Sequence, residues 1–343
     1  MRVLQIMAGK GNGGAELYST DVMLNLHAAG VDQCVVMRPA APRFQLLQAR
    51  GLRMAPGIFA ARLRPLQRLR MARLIAREKP DIIHCWMRRA ASLTPASARG
   101  RAALLGWFGD YEVLRHFSHC THLIGCTPDL VRHMREHGFP EDRSSYIPTF
   151  PSVDAQQALD RAAMDTPAEA PVLLTLSRLH ATKGLDCAIR ALVELPDAYL
   201  WLAGDGPMAA ALEGLARELG VAERVRFLGW RTDRGALLRA ADVCLLPSRY
   251  EPFGTVILDA WSTRTPLIAC DSEGPRAHIR DGENGMLVPA DDPHALAAVI
   301  RAVITTPALR ARIVDSGYRD YLSRFTPESV TRQWIGLYRG LAG

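Results

Sequence analysis

The chain has 343 residues, a net charge of +7, 48% hydrophobic residues and 22% charged residues. That length suits two domains better than one core, the composition is that of a globular protein, and no apolar run approaches the roughly 18 residues that span a bilayer. The seven cysteines form no CxxC pair and sit in apolar segments such as Val243-Cys244-Leu245, which argues against a disulfide framework and for reduced, buried thiols in a cytoplasmic protein.

In chain order, residues 3–7 read as a strand rather than a signal peptide. A glycine-rich loop over 9–14 follows, then a helix over 15–29 stopped by Gly30. Residues 33–37 form the next strand. Between Arg38 and Lys79 lie eleven cations, and Glu78 is the only acid. This basic stretch contains an amphipathic helix over 65–78, and its interleaved Leu, Met and Phe suit an anionic membrane surface or a phosphorylated acceptor. A solvated helical face explains the same charge. Nucleic acid is not expected as a partner, because no stacking platform or recognition motif accompanies the charge. Strands follow over 81–86, 104–107 and 122–126. Thr127 then caps a helix running through His137, with Pro128 at its first position.

The prolines at 148, 151, 167 and 171 break this rhythm, and the stretch 151–170 reads as a linker. Strands resume over 172–177, 199–203, 224–228, 243–246 and 267–270, separated by helices such as 208–219 and 233–240. Alternation of this kind predicts an α/β fold of two Rossmann-like parallel-sheet domains, 1–150 and 171–325, facing a central cleft at the carboxyl ends of their strands. The last segment, 326–343, carries Trp334, Ile335 and Tyr338 on a helix expected to cross back to the first domain.

Several strand-to-helix junctions carry chemistry. The sequence from Pro247 to Trp261 places Glu251 in a turn, Gly254 at a helix start and Asp259 about one turn in. Helix-start amides attract phosphate, and two nearby carboxylates suit hydroxyls, so a nucleotide sugar fits this pattern. Arg178 and Lys183, in the loop after the strand at 172, can clamp a diphosphate. Gly204 and Arg231 sit at two further strand ends, at the donor edge of the cleft. Gly13 and Gly14 end the first glycine-rich loop, which does not have the GxGxxG spacing of a dinucleotide site. His133 to His137 matches H-x-x-E-H, but its helix shows an ordinary packing face. The cluster of His116, His119, Cys120, His122 and Cys126 fits no zinc spacing. No metal and no cofactor are expected. His84, at the end of a strand, and Trp107 are candidates to line an acceptor site.

Together these residues resemble the retaining GT-B glycosyltransferases of family 4, the group 1 glycosyltransferases. The resemblance covers nearly the whole chain. It is most specific from Ser177 to Pro289, where Ser-Arg-Leu…Lys-Gly, Gly-Asp-Gly-Pro, Phe-Leu-Gly-Trp, Pro-Ser-Arg-Tyr-Glu-Pro-Phe-Gly and Asp-Gly-Glu-Asn-Gly-Met-Leu-Val-Pro follow in order. It implies that Arg178 and Lys183 hold the donor diphosphate and offset the leaving group's charge, and that Glu251 contacts the transferred sugar. It further implies that the amides of Phe253, Gly254 and Thr255 face sugar and phosphate, that Asp259 binds the ribose diol, and that Gly13 and Gly14 close on the donor. Metal-independent transfer by front-face attack is implied as well. Two departures stand out. Asp259 occupies a position usually held by Glu, and the segment Leu105 to Gly109 lacks the family's first-domain His.

More loosely, the first half resembles bacterial enzymes of lipopolysaccharide core or surface-glycan synthesis. The expected activity is therefore hexosyl transfer from a nucleotide sugar to a lipid-linked or oligosaccharide hydroxyl, in the cytoplasm or peripherally on the inner membrane face. A nucleotide-sugar epimerase of the same fold and a non-catalytic nucleotide-sugar-binding or membrane scaffold protein remain as alternatives.

Overall fold

A computed structural model describes residues 1–9, 11, 13–57, 59, 64–98, 100–151, 153 and 157–343; for Pro42, Arg64 and Pro65 it describes the backbone alone. Lys10 and Asn12 of the glycine-rich loop, Arg62 of the basic stretch, and residues 152 and 154–156 of the expected linker lie outside the described residues. The chain divides into two compact units, Met1–Phe150 with Pro327–Gly343, and Pro151–Thr326.

The first unit holds β1 (Arg2–Met7), β2 (Asp32–Met37), β3 (Arg53–Pro56), β4 (Ile82–Trp86), β5 (Ala103–Phe108), β6 (His122–Gly125) and β7 (Ser144–Tyr146). They pair in parallel in the order β3-β2-β1-β4-β5-β6-β7. Its connecting helices are α1 (Gly14–Ala28), α2 (Pro42–Ala49), α3 (Arg64–Glu78), α4 (Met87–Leu93) and α5 (Pro128–Glu136). Every residue of β4 is buried, as a central parallel strand covered on both faces requires. Thr127 caps α5, its hydroxyl accepting from the Leu130 amide at 3.1 Å, with Pro128 beginning the helix.

The second unit repeats the plan with β8 (Val172–Leu176), β9 (Tyr199–Ala203), β10 (Val225–Gly229), β11 (Val243–Leu246), β12 (Leu267–Cys270) and β13 (Met286–Val288), parallel in the order β10-β9-β8-β11-β12-β13. Its helices are α6 (Leu185–Ala191), α7 (Ala209–Glu218), α8 (Arg234–Ala240), α9 (Thr255–Ser262), α10 (Glu273–His278), α11 (Pro293–Thr305) and α12 (Pro307–Asp320), the last running into a π-helical turn over Tyr321–Phe325. The three strands that the sequence pattern omits, β3, β7 and β13, are outermost and only three or four residues long. Pro56 ends β3 at the sheet edge, where a missing N–H costs no ladder bond.

The proline-rich stretch is not a free tether over its described part. Arg161 pairs with Asp242 at 2.9 Å and donates to the Ala240, Ala168 and Ala170 carbonyls, while Thr166 accepts from the Trp201 indole at 2.9 Å. Residues 157–170 thus pack onto the second unit. The final helix, α13 (Pro327–Ala342), belongs to the first unit. Its Trp334 indole donates to the Tyr18 hydroxyl at 3.1 Å, and its Tyr338 hydroxyl lies 2.6 Å from His84 Nδ1. Both side chains are fully buried.

In each sheet the strand order reverses once, between β1 and β4 and between β8 and β11. In a doubly wound sheet, such a reversal splays neighbouring connections to opposite faces and opens a crevice beyond the strand ends. All seven cysteines are buried and unbridged.

Candidate functional site

In the second unit, the reversal brings two loops together. Val243 and Cys244 of β11 pair with Leu173 and Leu174 of β8, so both strands deliver their chains to the same edge. The loop after β8 ends in a 3₁₀ turn, Ala181–Lys183, whose Thr182 carbonyl accepts the Arg249 amide at 2.9 Å from the loop after β11. Gly184 has φ +61°, and a Cβ there would overlap the Pro247 carbonyl oxygen, so the loops meet this closely only because the residue is glycine. Arg249 fastens the arrangement by reaching Asp186 at 2.7 Å, Asp291 at 2.6 Å and the Ala181 carbonyl at 2.7 Å. Those two carboxylates push its guanidinium pKa further up, so it stays charged.

The outcome is a contact between two of the residues singled out from sequence. Lys183 Nζ donates to Glu251 Oε2 at 2.7 Å, and the Ser248 hydroxyl lies 3.4 Å from the same oxygen. The two charged side chains are 17% and 14% exposed, so the pair is largely shielded yet still open to a ligand. Arg178 is exposed on the same β8 loop and makes no hydrogen bond or ion pair through its guanidinium among the described residues. Gly204 lies beside it. A Cβ there would overlap the Ser177 carbonyl oxygen, which lets the loops after β8 and β9 touch. Phe253 is buried, Gly254 caps α9, and Thr255 begins it. The Gly274 amide from α10 donates to the Glu251 carbonyl at 2.8 Å and fixes the turn from behind.

Asp259 lies a turn into α9 and its side chain is 1% exposed. Its carboxylate accepts from Arg234 Nη1 at 3.1 Å and makes no hydrogen bond or ion pair with Lys183 or Glu251. Arg231 forms a two-pronged pair with Asp233 at 2.8 and 2.6 Å, beside Trp230, which is 52% exposed. The structure therefore joins Lys183 with Glu251 and sets Arg178 with Gly204. It gives Asp259 and Arg231 partners of their own.

In the first unit, Gly13 caps α1 and Gly14 begins it. The Glu16 carboxylate of the same helix sits against the loop, 2.9 Å from where a Gly13 Cβ would stand, whereas the space at Gly14 is open. His84 and Trp107 require a correction, because neither presents a surface to an acceptor. Both lie on strands in the middle of the sheet, where side chains of each face are covered. His84 is fully buried, stacked on Trp86 with ring centres 4.2 Å apart, 4.9 Å from Trp334 and bonded to Tyr338. Burial lowers its pKa to about 3, so the ring is neutral. Trp107 is 3% exposed and packs against Tyr18 and Trp86. Among the described residues, no group of three or more His, Cys, Asp or Glu is placed to hold a metal ion.

Sequence reasoning missed Arg234, Gly274 and the pairing of Arg249 with Asp186 and Asp291. Ser248 and Arg249 lie inside the motif already singled out, so the signal for them was present. Arg234 and Gly274 act through contacts 25 and 23 positions away in the chain, which spacing cannot reveal.

Two doubly wound parallel sheets in one chain form the GT-B architecture. The chain belongs to the group 1, family 4 glycosyltransferases. Residues 156–320 match the family described as glycosyl transferases group 1, and residues 12–154 match Glycosyltransferase Family 4. The lipopolysaccharide core biosynthesis glycosyltransferase LpsE of Rhizobium meliloti (strain 1021) is 34% identical over 339 residues, covering 98% of each chain. LpsD of the same organism, bearing the same description, is 34% identical over 346 residues, covering 100% of this chain and 99% of its own. Among solved structures, Anabaena Alr3699/HepE in complex with UDP and glucose superposes with a TM-score of 0.83 at 22% identity, covering 98% of each chain, a likeness of fold.

Proposed function

We propose that this glycosyltransferase is a retaining, metal-independent hexosyltransferase that moves a sugar from a nucleotide sugar to a hydroxyl of a lipid-linked or oligosaccharide acceptor in lipopolysaccharide or surface-glycan synthesis. The observation that carries the reading is the Lys183–Glu251 contact at the β8/β11 reversal, with the exposed cation of Arg178 on the same loop. Two fixed cations offset charge on a departing diphosphate, and a shielded carboxylate orients sugar hydroxyls. Both effects are stronger where water is partly excluded. The relatives' descriptions as lipopolysaccharide core enzymes support the biosynthetic setting. The presence of UDP and glucose on a protein of the same fold supports a nucleotide-sugar donor.

In the reaction we propose, the bond between the sugar's anomeric carbon and the donor phosphate oxygen breaks, and a bond from that carbon to the acceptor oxygen forms on the same face. The acceptor proton passes to a phosphate oxygen of the leaving nucleoside diphosphate. Arg178 and Lys183 hold that diphosphate. Glu251 exchanges its lysine partner for sugar hydroxyls, and the amides at Phe253, Gly254 and Thr255 face the phosphate. Gly13, Gly14, Gly204 and Arg231 contribute to donor binding, and Asp259 to the ribose. The cations supply charge neutralisation that a metal ion supplies elsewhere. Among the described residues no helix is long and apolar enough to cross a membrane, and the reading places the enzyme on the inner membrane face, with the basic segment 38–79 against anionic lipid.

The test is transfer from UDP-glucose and other nucleotide sugars to lipopolysaccharide core acceptors, with the product's anomeric configuration read by NMR and the reaction run with chelator. Retained configuration is expected. Glu251→Gln should lower turnover by about 10²- to 10³-fold with UDP affinity kept within a few-fold. Unchanged turnover in that variant, or donor consumption without any acceptor product, overturns the reading.

A further inference from the structure

The reaction proposed above needs a second substrate, and the residues expected to line its site, His84 and Trp107, are buried. Beyond the carboxyl ends of β2 and β4, the first unit instead places positive charge. Arg38 directly follows β2, and Arg89 lies in the first turn of α4, which begins at Met87 with no loop after β4. Met87 has φ +65°, in the left-handed region that a long side chain rarely adopts. Strain of this kind persists only where the surrounding structure enforces it, and it clusters at ligand sites. Here it accompanies an abrupt turn that brings Arg89 to Arg38.

The two side chains meet on one atom. Arg38 Nη2 donates to the Phe59 carbonyl at 2.5 Å, Arg89 Nη2 donates to the same oxygen, and Arg38 Nε reaches the Ala8 carbonyl at 3.4 Å. Neither guanidinium has a carboxylate partner, and Arg89 makes no other hydrogen bond, among the described residues. A guanidinium carries five N–H donors, so most of theirs are unused. Neighbouring arginines differ: Arg53 pairs with Asp32 and Glu78, and Arg88 faces Glu112 at 3.7 Å. Two like charges gathered on one neutral oxygen repel. Burial first, and then the charge of Arg89, hold the Arg38 guanidinium below its ordinary range. Arg38 is half-buried and Arg89 exposed, so a ligand reaches both. An oxyanion between them offsets the repulsion and accepts the unused donors.

We propose that Arg38 and Arg89 form a subsite for an oxyanion carried by the acceptor, so that the acceptor is a sugar bearing a phosphate monoester or a carboxylate. The donor diphosphate does not explain the pair, because the reading above assigns it to Arg178 and Lys183 of the second unit. The inference rests on that reading for the ligand's role as acceptor; the anion site itself does not.

The experiment is calorimetric titration of the full chain with glucose 6-phosphate, glucuronate, glucose and inorganic phosphate, and separately with UDP. The two sugar anions should bind, inorganic phosphate more weakly, and glucose not at all. Arg38→Gln with Arg89→Gln should weaken sugar-anion binding at least about tenfold and keep UDP binding within a few-fold. Arg89→Gln alone, at an exposed position with one hydrogen bond to lose, should weaken it several-fold, and melting curves report the fold of each variant. Arg178→Gln should do the reverse, weakening UDP and sparing the sugar anions; UDP binding that survives it counts against the donor assignment and leaves the anion site standing. In transfer to lipopolysaccharide core acceptors, removing phosphate and reducing carboxyl groups on the acceptor should raise the parent's acceptor KM about tenfold and leave that of the Arg38, Arg89 double variant unchanged. The proposal is overturned by glucose or inorganic phosphate binding as well as the sugar anions, by equal KM changes in both enzymes, or by a double variant that melts lower and binds sugar anions as the parent does, which would leave the pair only the task of holding the Phe59 carbonyl.

Discussion

The two units repeat one sheet plan and fill the place where strand order reverses in opposite ways. Around β1 and β4, six aromatic rings, those of Tyr18, His84, Trp86, Trp107, Trp334 and Tyr338, pack edge-on, tilted and, for His84 on Trp86, stacked into a buried cluster, inside which Trp334 donates to Tyr18 and His84 bonds to Tyr338. Around β8 and β11, the corresponding loops carry Lys183, Glu251 and Arg178, partly exposed. Topology offers both units a crevice, and side-chain chemistry decides whether it becomes core or site. In the first unit α13 covers side chains of β4 and α1 beside the reversal, whereas the second leaves opposite charges paired at its strand ends.

The comparison breaks most visibly if the aromatic cluster proves dispensable. Trp334→Ala removes a fully buried indole and the donor to Tyr18, and should cost about 3–5 kcal/mol. Calorimetry should show the first unit's melting lowered and the UDP-responsive transition little changed. A shift confined to the UDP-responsive transition would reverse the assignment of α13.

The second unit has a buried charge where the first has rings. Arg234→Met leaves the Asp259 carboxylate, 1% exposed, without its guanidinium and should cost about 3 kcal/mol. Adding Asp259→Asn should recover most of that loss, because the charge is then gone. Denaturant midpoints measure both steps, and no recovery in the double variant would mean that Asp259 does not depend on Arg234.

Coupling at the site itself sharpens the contrast. Lys183→Met should lower turnover about 100-fold, near 2.7 kcal/mol. Because Lys183 and Glu251 touch at 2.7 Å, combining it with Glu251→Gln should cost much less than the product of the two single effects. Multiplicative losses would show the two acting on separate steps.

Much of this was legible in sequence and some was not, for physical reasons. Central strands such as Val172–Leu176 are continuous apolar runs because both faces are covered, so β8 and its neighbours stand out. Edge strands such as Ser144–Tyr146 are short and half-exposed and carry no such signal. Glu251 and Lys183 were readable because loops at strand ends hold them. His84 was misread because strand position alone does not tell whether another element covers a side chain, and the element that covers it, α13, begins more than 240 residues later. Arg234 was invisible for the same reason: its value lies in a partner 25 residues away.

The smallest effect separates the units by pH. Burial first, and then the nearby Arg324 charge, lower the pKa of His278 in the second unit to about 4, and both ring nitrogens lack partners between Phe253 and Phe325. Burial alone lowers that of His84 to about 3, but its Nδ1 is bonded to Tyr338. Each ring is neutral when folded and takes a proton more readily when unfolded. Each stabilising contribution is therefore full above about pH 6.5 and is lost as pH falls toward the folded value, by about 2 kcal/mol per ring at pH 5. His278→Phe should remove that ring's share of the acid sensitivity with little cost at pH 7, since no hydrogen bond is broken. His84→Phe should remove a similar share and cost about 1 kcal/mol at pH 7, because it takes a partner from a buried hydroxyl. Stability curves of the two variants between pH 5 and 8 should therefore run parallel and be offset. Identical curves would mean that the Tyr338 bond adds nothing, and an undiminished acid slope in both variants would mean that other groups govern the acid limb.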